Sequence, residues 1–238
     1  MYRIDYACII AIKDRSNTTI RRMMNMKIAV IGASGKAGQL ITKEAVDRGH
    51  EVTAIVRSAA KFQGEAAHVV EKEIFDLKAA DLSAYDVVVN AFGAPLGQEQ
   101  LHLEAGRALI AALKEAPNTR LIVVGGAGSL FVDDSHTTRV FETPEFPEFV
   151  LATAKNQGQN LQELQQSEGI QWTFLSPSAF FDPEGKRTGA YTSGLDQLLV
   201  NSQGNSYISY ADYAIAVIDE IEKPQHVNRR FTVVGEAE

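Results

Sequence analysis

Apolar runs of four to seven residues alternate along this chain with longer stretches whose apolar positions recur every third or fourth residue. The runs at 28–31, 51–56, 69–75, 85–90, 120–124 and 170–175 read as strands, and the stretches at 37–48, 98–115 and 148–167 as amphipathic helices. Helix-stopping residues agree: Gly49 and Gly169 close two of these helices, and the third stops before Pro117. An irregular, glycine-containing stretch at 191–205 follows, then a short strand at 207–209, a helix at 211–222 stopped before Pro224, and a last strand at 230–234. The strand at 120–124 is nearly all apolar, as a parallel strand covered on both faces should be. Strands alternating with helices imply right-handed βαβ units. The expected fold is therefore α/β, a doubly wound, mostly parallel sheet with helices on both faces. Residues 130–147 read as an irregular loop, and loops of that length usually carry function.

In such sheets ligands bind outside the carboxyl ends of the strands, which draws attention to the residues after each run. After the first strand stand Gly32, Ala33, Ser34, Gly35, Lys36, Ala37 and Gly38. Glycine lets backbone approach a pyrophosphate, and the helix starting there offers unpaired N–H groups and its positive dipole end. A tight structural turn would use glycine too, but a strand before and a helix after are the context dinucleotide binding requires. A nucleoside-triphosphatase loop is disfavoured, because Ala37 rather than Ser or Thr follows Lys36 and the glycines are too close together.

After the second strand come Arg57 and Ser58, with Lys61 nearby. An NAD site places an acidic residue about 20 positions beyond the glycines, on the ribose 2′-hydroxyl. Here the guanidinium fork of Arg57 suits a 2′-phosphate instead, so NADP(H) is the expected cofactor; a solvated surface arginine is the alternative. Asp76 and Leu77 end the third strand, where a polar group can meet the adenine edge. Ala91, Phe92 and Gly93 follow the fourth, letting a cofactor lie against backbone or simply making a turn. Gly125, Gly126 and Gly128 follow the fifth and mark a close backbone approach. Ser129 beside them is the candidate contact to the nicotinamide, or else a hydroxyl capping the turn. Pro177 follows the sixth strand. His136 is a candidate proton donor because histidine titrates near neutral pH, although a solvated loop histidine is the simpler reading. Tyr210 and Tyr213 read as packing residues around the last helix.

Composition narrows the classes. A net charge of −7 speaks against a nucleic-acid surface. The single cysteine, Cys8, excludes a disulfide framework and a cysteine metal site, and five scattered histidines form no metal-ligand pattern. No apolar run approaches the ~20 residues a membrane span needs, so no membrane partner is expected and the expected address is the cytoplasm. Residues 26–238 suit one cofactor-binding domain with a small C-terminal substrate lobe. Residues 1–25 combine an apolar patch with Lys13, Arg15, Arg21 and Arg22. They lack a secretory cleavage site, and Asp5 and Asp14 interrupt the charge of a basic targeting peptide, so a poorly ordered extension is expected there.

The glycine turn Gly32 to Gly38, the Val56-Arg57 strand end, the Val124 to Ser129 turn, Leu175-Ser176-Pro177 and the run from Ile208 to Ala214 together resemble the atypical short-chain dehydrogenase/reductases. Within these the chain is similar to the NAD(P)-binding, NmrA-like group of NADH-flavin reductase type, near biliverdin reductase B. The resemblance covers residues 26–238 and implies a Rossmann domain with NADP(H) across the strand ends. The wider superfamily carries a Tyr-x-x-x-Lys pair on the helix after the fifth strand. The matching stretch here is Leu151-Ala152-Thr153-Ala154-Lys155, which retains Lys155 to hold the nicotinamide ribose but has no tyrosine. A plain surface lysine is an equal alternative.

Without that tyrosine, carbonyl reduction lacks its usual acid. A flavin ring delocalises charge and takes protons from water, leaving proximity and orientation to the protein. The leading reading is an NADP(H)-dependent oxidoreductase passing hydride to a flavin or similar planar conjugated acceptor. Ser129 and Lys155 would orient the nicotinamide, and the protein would act as a monomer or homodimer. A non-catalytic NADP(H)-sensing regulatory protein of NmrA-like type stays open. So does a sugar-nucleotide epimerase or dehydratase, which the missing tyrosine and the short C-terminal part disfavour.

Overall fold

The structure is a computed structural model and describes residues 25–237. The expectation for residues 1–25 therefore falls, Asn25 apart, outside the described residues. The strands are β1 (Lys27–Ile31), β2 (Glu51–Val56), β3 (His68–Glu71), β4 (Val87–Asn90), β5 (Arg120–Val124), β6 (Gln171–Ser176), β7 (Phe180–Asp182), β8 (Thr192–Gly194), β9 (Tyr207–Ser209) and β10 (Arg229–Val234). The helices are α1 (Lys36–Asp47), α2 (Ala79–Leu82), α3 (Leu101–Lys114), α4 (Glu148–Gln165) and α5 (Tyr210–Glu222).

Eight strands form one sheet in the order β3-β2-β1-β4-β5-β6-β10-β8, and β7 pairs with β9 in a second, parallel ribbon. Every pairing in the large sheet is parallel except β8 against β10. Strand order reverses about β1: Val30 faces Ala54 of β2 on one side and Val89 of β4 on the other. Their onward connections leave toward opposite faces, which opens a crevice at the carboxyl ends.

Successive side chains of β1 point to opposite faces, so its apolar run feeds two cores. Ile28 and Val30 pack with Ile41 and Ala45 of α1 and Val217 of α5. Ala29 and Ile31 pack with Leu109 of α3 and Leu161 and Leu164 of α4. Tyr213 is fully buried in the first core, and its hydroxyl donates to Leu175 O at 2.7 Å, which satisfies the one polar atom it brings inside. Ser209 caps α5 by accepting the Asp212 N–H at 3.0 Å. Buried Asp212 in turn accepts Thr188 N–H, Thr188 O–H and Gly189 N–H, tying the segment after β7 to that helix end.

Three expectations change. The third strand stops at Glu71 rather than residue 75, because β2 ends at Val56 and Lys72 N–H takes its last carbonyl at 2.9 Å. Residues Ile74–Asp76 close into a 3₁₀ turn that buries Ile74. The 130–147 loop is partly ordered: Phe131 bridges to Arg139 and to Gln197, and Val140–Glu142 is a 3₁₀ turn. β7 and α2, each of four residues or fewer, are too short for periodicity to reveal.

Candidate functional site

Gly32 ends β1 with φ +76°, a left-handed conformation that glycine accepts without strain. Its N–H bonds Ile55 O at 3.0 Å, and a Cβ there would lie 2.6 Å from Ala91 O, so the exits of β1 and β4 touch. Gly35 N–H returns to Gly32 O at 2.9 Å, and Gln39 N–H to Gly35 O at 2.8 Å, which starts α1. A Cβ on Gly38 would collide with Gly32 O; this glycine sets the close packing of helix on turn. No side chain caps α1, and its first turn holds no acidic residue. The N–H groups of Lys36, Ala37 and Gly38 precede any intrahelical acceptor, so an open, positively polarised helix end faces outward.

A cavity of about 1090 Å³ runs across the carboxyl ends of β1, β2, β4, β5 and β6. It brings together Gly32, Ser34, Gly35, Lys36, Ala37, Arg57, Ala91, Phe92, Gly93 and Pro177. Gly38 sits buried behind the turn, Ser58 lies just past the lining, and exposed Lys61 lies beyond both. Asp76 is exposed and Leu77 is buried in the core; neither lines the cavity, and Ile74 takes that place because the 3₁₀ turn rotates it inward.

At the β2 end, Arg57 is exposed and has no ion-pair or hydrogen-bond partner among the described residues. Neighbouring Lys72 is engaged with Asp81 at 2.6 Å, and this ammonium holds the Asp81 carboxyl below its usual range. Glu71 accepts the Ala59 N–H at 2.7 Å. Phe92 meets His102 edge-on at 5.9 Å, and Ala94 N–H donates to His102 Nε2 at 3.4 Å. Burial lowers the His102 pKa, so the ring is neutral and its lone pair is used by backbone.

Neither residue expected to orient the nicotinamide is brought into this lining. Ser129 is buried, and Arg230 Nη1 donates to its carbonyl at 2.9 Å and its Oγ at 3.0 Å. Arg230 Nε donates to Asp196 at 2.8 Å, so Ser129 belongs to a clamp joining β10, the β5 turn and the segment before β9. Lys155 is exposed on another face of α4. The residues of α4 that line the cavity are Phe149, Val150, Thr153, Ala154 and Gln157, the last four following the i, i+3, i+4, i+7 stripe of one helix face. Matching the Tyr-x-x-x-Lys spacing by sequence selected Leu151 and Lys155. The inward pair four residues apart is instead Thr153 and Gln157, and the apolar stripe through Val150, Ala154 and Leu161 was the signal that could have found it. A Cβ on Gly126 would collide with Gln157 Oε1, so the β5 glycines make room for this helix face. His136 is exposed and stacks on Phe131 at 4.8 Å, outside the lining.

The far end of the cavity is aromatic. Phe146, Phe149, Phe180, Phe181 and Tyr210 line it, with Phe149 75% and Phe180 60% exposed. Tyr210 lines the site rather than only packing; its ring lies 3.8 Å from Phe181, and burial raises its phenol pKa. Lys36 Nζ pairs with Glu184 at 3.0 Å at the exposed mouth. The described residues hold no group of three or more His, Cys, Asp or Glu placed to bind a metal, and none of their helices is long and apolar enough to cross a membrane.

Residues 32–224 match the model of a family described as NAD(P)H-binding. The uncharacterized protein YwnB of Bacillus subtilis (strain 168) is 65% identical over 213 residues, 90% of this chain and 100% of that protein. Among solved structures, SP1627 of Streptococcus pneumoniae TIGR4, a proposed NADH-flavin reductase, superposes with a TM-score of 0.82 at 43% identity, covering 89% of this chain and 100% of that one. A proposed epimerase of Bacteroides thetaiotaomicron gives 0.80 at 36% identity, covering 90% and 98%.

Proposed function

This chain belongs to the NAD(P)H-binding family, and from that premise we propose that it is an NADP(H)-dependent reductase of a flavin or similar planar conjugated acceptor. The residues present fit the cofactor. The uncapped first turn of α1, closed tightly by Gly32 and Gly38, offers several N–H donors to a diphosphate. Unpaired Arg57 offers a bidentate fork to a ribose 2′-phosphate. Phe92 and Ile74 provide apolar surface beside it for the adenine. Gln157 and Thr153 hold neutral polar groups under the β5 turn, suited to the hydroxyls or carboxamide of the nicotinamide end.

When bound, the reduced cofactor supplies a hydride and becomes oxidised, while the acceptor takes up that hydride and one proton from water. The chain's part is to orient and to exclude bulk water. The observation that carries this reading is the cavity face of α4, where Thr153 and Gln157 offer no group that titrates near neutral pH. Reducing a carbonyl, or epimerising a sugar carbon, calls for a positioned acid or base there; a delocalised ring does not. The exposed faces of Phe149 and Phe180 suit such a ring, and the acceptor class is the one named for SP1627.

The test mixes the purified chain with NADPH and riboflavin and follows the nicotinamide absorbance. Oxidation that depends on both protein and riboflavin supports the reading. Tight NADPH binding with no oxidation by any ring acceptor overturns it in favour of the sensor.

A further inference from the structure

We propose, building on the reductase reading, that the acceptor is a planar ring carrying no anionic group, and that the site discriminates against phosphorylated flavins. The aromatic end is bounded by residues 141–150 and 177–185. The first segment, Phe-Glu-Thr-Pro-Glu-Phe-Pro-Glu-Phe-Val, contains Glu142, Glu145 and Glu148 and no lysine or arginine. The second contains Asp182 and Glu184 and again no base. Glu145 itself lines the cavity, next in the chain to Phe146.

Of the cations lining the cavity, Lys36 alone meets this rim, and a rim carboxylate already engages it. Lys36 is paired with Glu184 at 3.0 Å and stands at the glycine turn. Arg57 and Lys72 line the opposite, β2 end, and Lys72 is held by Asp81. The Arg139 guanidinium lies over the rings of Phe131 and Phe141, outside the lining. Lys186 and Arg187 follow the second segment in the chain but do not line the cavity, and Arg187 is turned to Glu44 at 3.1 Å.

Phe149 and Phe180 therefore offer stacking surface inside an acidic rim. An uncharged ring gains the stacking without repulsion. A phosphate leaving along the rim meets Glu145, while Lys36 is already held by Glu184, and repulsion between like charges near a protein surface lowers affinity by about tenfold.

The experiment uses the full chain saturated with NADP+ and titrates riboflavin and FMN by quenching of flavin fluorescence, at low and high salt, beside NADPH turnover with each flavin. Riboflavin should bind at least about tenfold tighter than FMN at low salt, and the gap should narrow at high salt as the rim is screened. Glu145→Lys should narrow it further while NADP+ affinity stays the same. FMN binding as tightly as riboflavin, neither flavin binding, or a gap that neither salt nor Glu145→Lys moves would each overturn the proposal. Preferential riboflavin binding without NADPH oxidation would instead overturn the reductase reading and leave an uncharged-ring site standing.

Discussion

The two ends of the cavity are built in different ways. At the glycine end the cavity wall is mostly backbone: the Gly32 turn, the open N–H groups of α1 and the exit of β4. At the aromatic end they are side chains, drawn from residues 140–157, the segment around Pro177 to Phe181, and Tyr210. Backbone donors recognise a diphosphate whatever the neighbouring side chains are, so this end suits a constant group. Side chains on a loop, a helix face and a short ribbon can each change without disturbing the sheet, so the other end can vary while the fold stays the same.

The sharpest way to break this comparison is to put a side chain where only backbone fits. Gly38→Val drives its side chain into Gly32 O and should cost about 3 kcal/mol of stability and abolish NADPH binding. Gly93→Ala, whose added Cβ meets nothing within 4 Å, should stay within about 0.5 kcal/mol; urea unfolding of both variants checks this. Next, Arg230→Met removes the clamp on Ser129 and Asp196 and should lower stability by about 2–3 kcal/mol, read as a fall in Tm. NADPH affinity should fall far less than in Gly38→Val, because the clamp lies away from the glycine turn.

Arg57→Ala should weaken NADPH by about 10- to 100-fold and leave NADH nearly unchanged, since one charge-assisted contact is worth about 1.5–3 kcal/mol. Equal loss for both nucleotides in fluorescence titrations would remove the phosphate role. On α4, Gln157→Ala should weaken the cofactor by about 1 kcal/mol, whereas Lys155→Ala should fall within about 0.5 kcal/mol of the parent. The reverse ranking would restore the spacing read from sequence.

The smallest effect concerns pH. Burial lowers the folded-state pKa of His102 below the ordinary value of about 6.5, so the unfolded chain binds this proton more readily. The stability it contributes is complete above that ordinary value and is lost as pH falls toward the folded value. Tm measured down through this window should decline less steeply in His102→Gln than in the parent.

Much of this molecule is determined within short stretches of its sequence. The apolar runs placed β1, β2 and β5 within a residue of their observed bounds, because a strand covered on both faces is apolar at most of its positions. Gly32, Gly35 and Gly38 announced the tight strand-to-helix turn because its backbone geometry is decided within seven residues. Arg57 could be named because it follows a strand whose end is known. Distant packing decided the rest. Ser129 is claimed by Arg230, 101 residues away, a pairing no local pattern encodes. The rotation of α4 turns Thr153 and Gln157 inward and Lys155 outward, with Ala154 and Gly158 seated against Gly128 and Ser129 of the β5 turn. Phe149 and Phe180 become two walls of one cavity only once β6, β7 and α4 are assembled. Local periodicity reports which residues are buried; helix rotation and the meeting of distant segments depend on the summed packing of the whole core, so the aromatic end of the cavity emerged only with the tertiary structure.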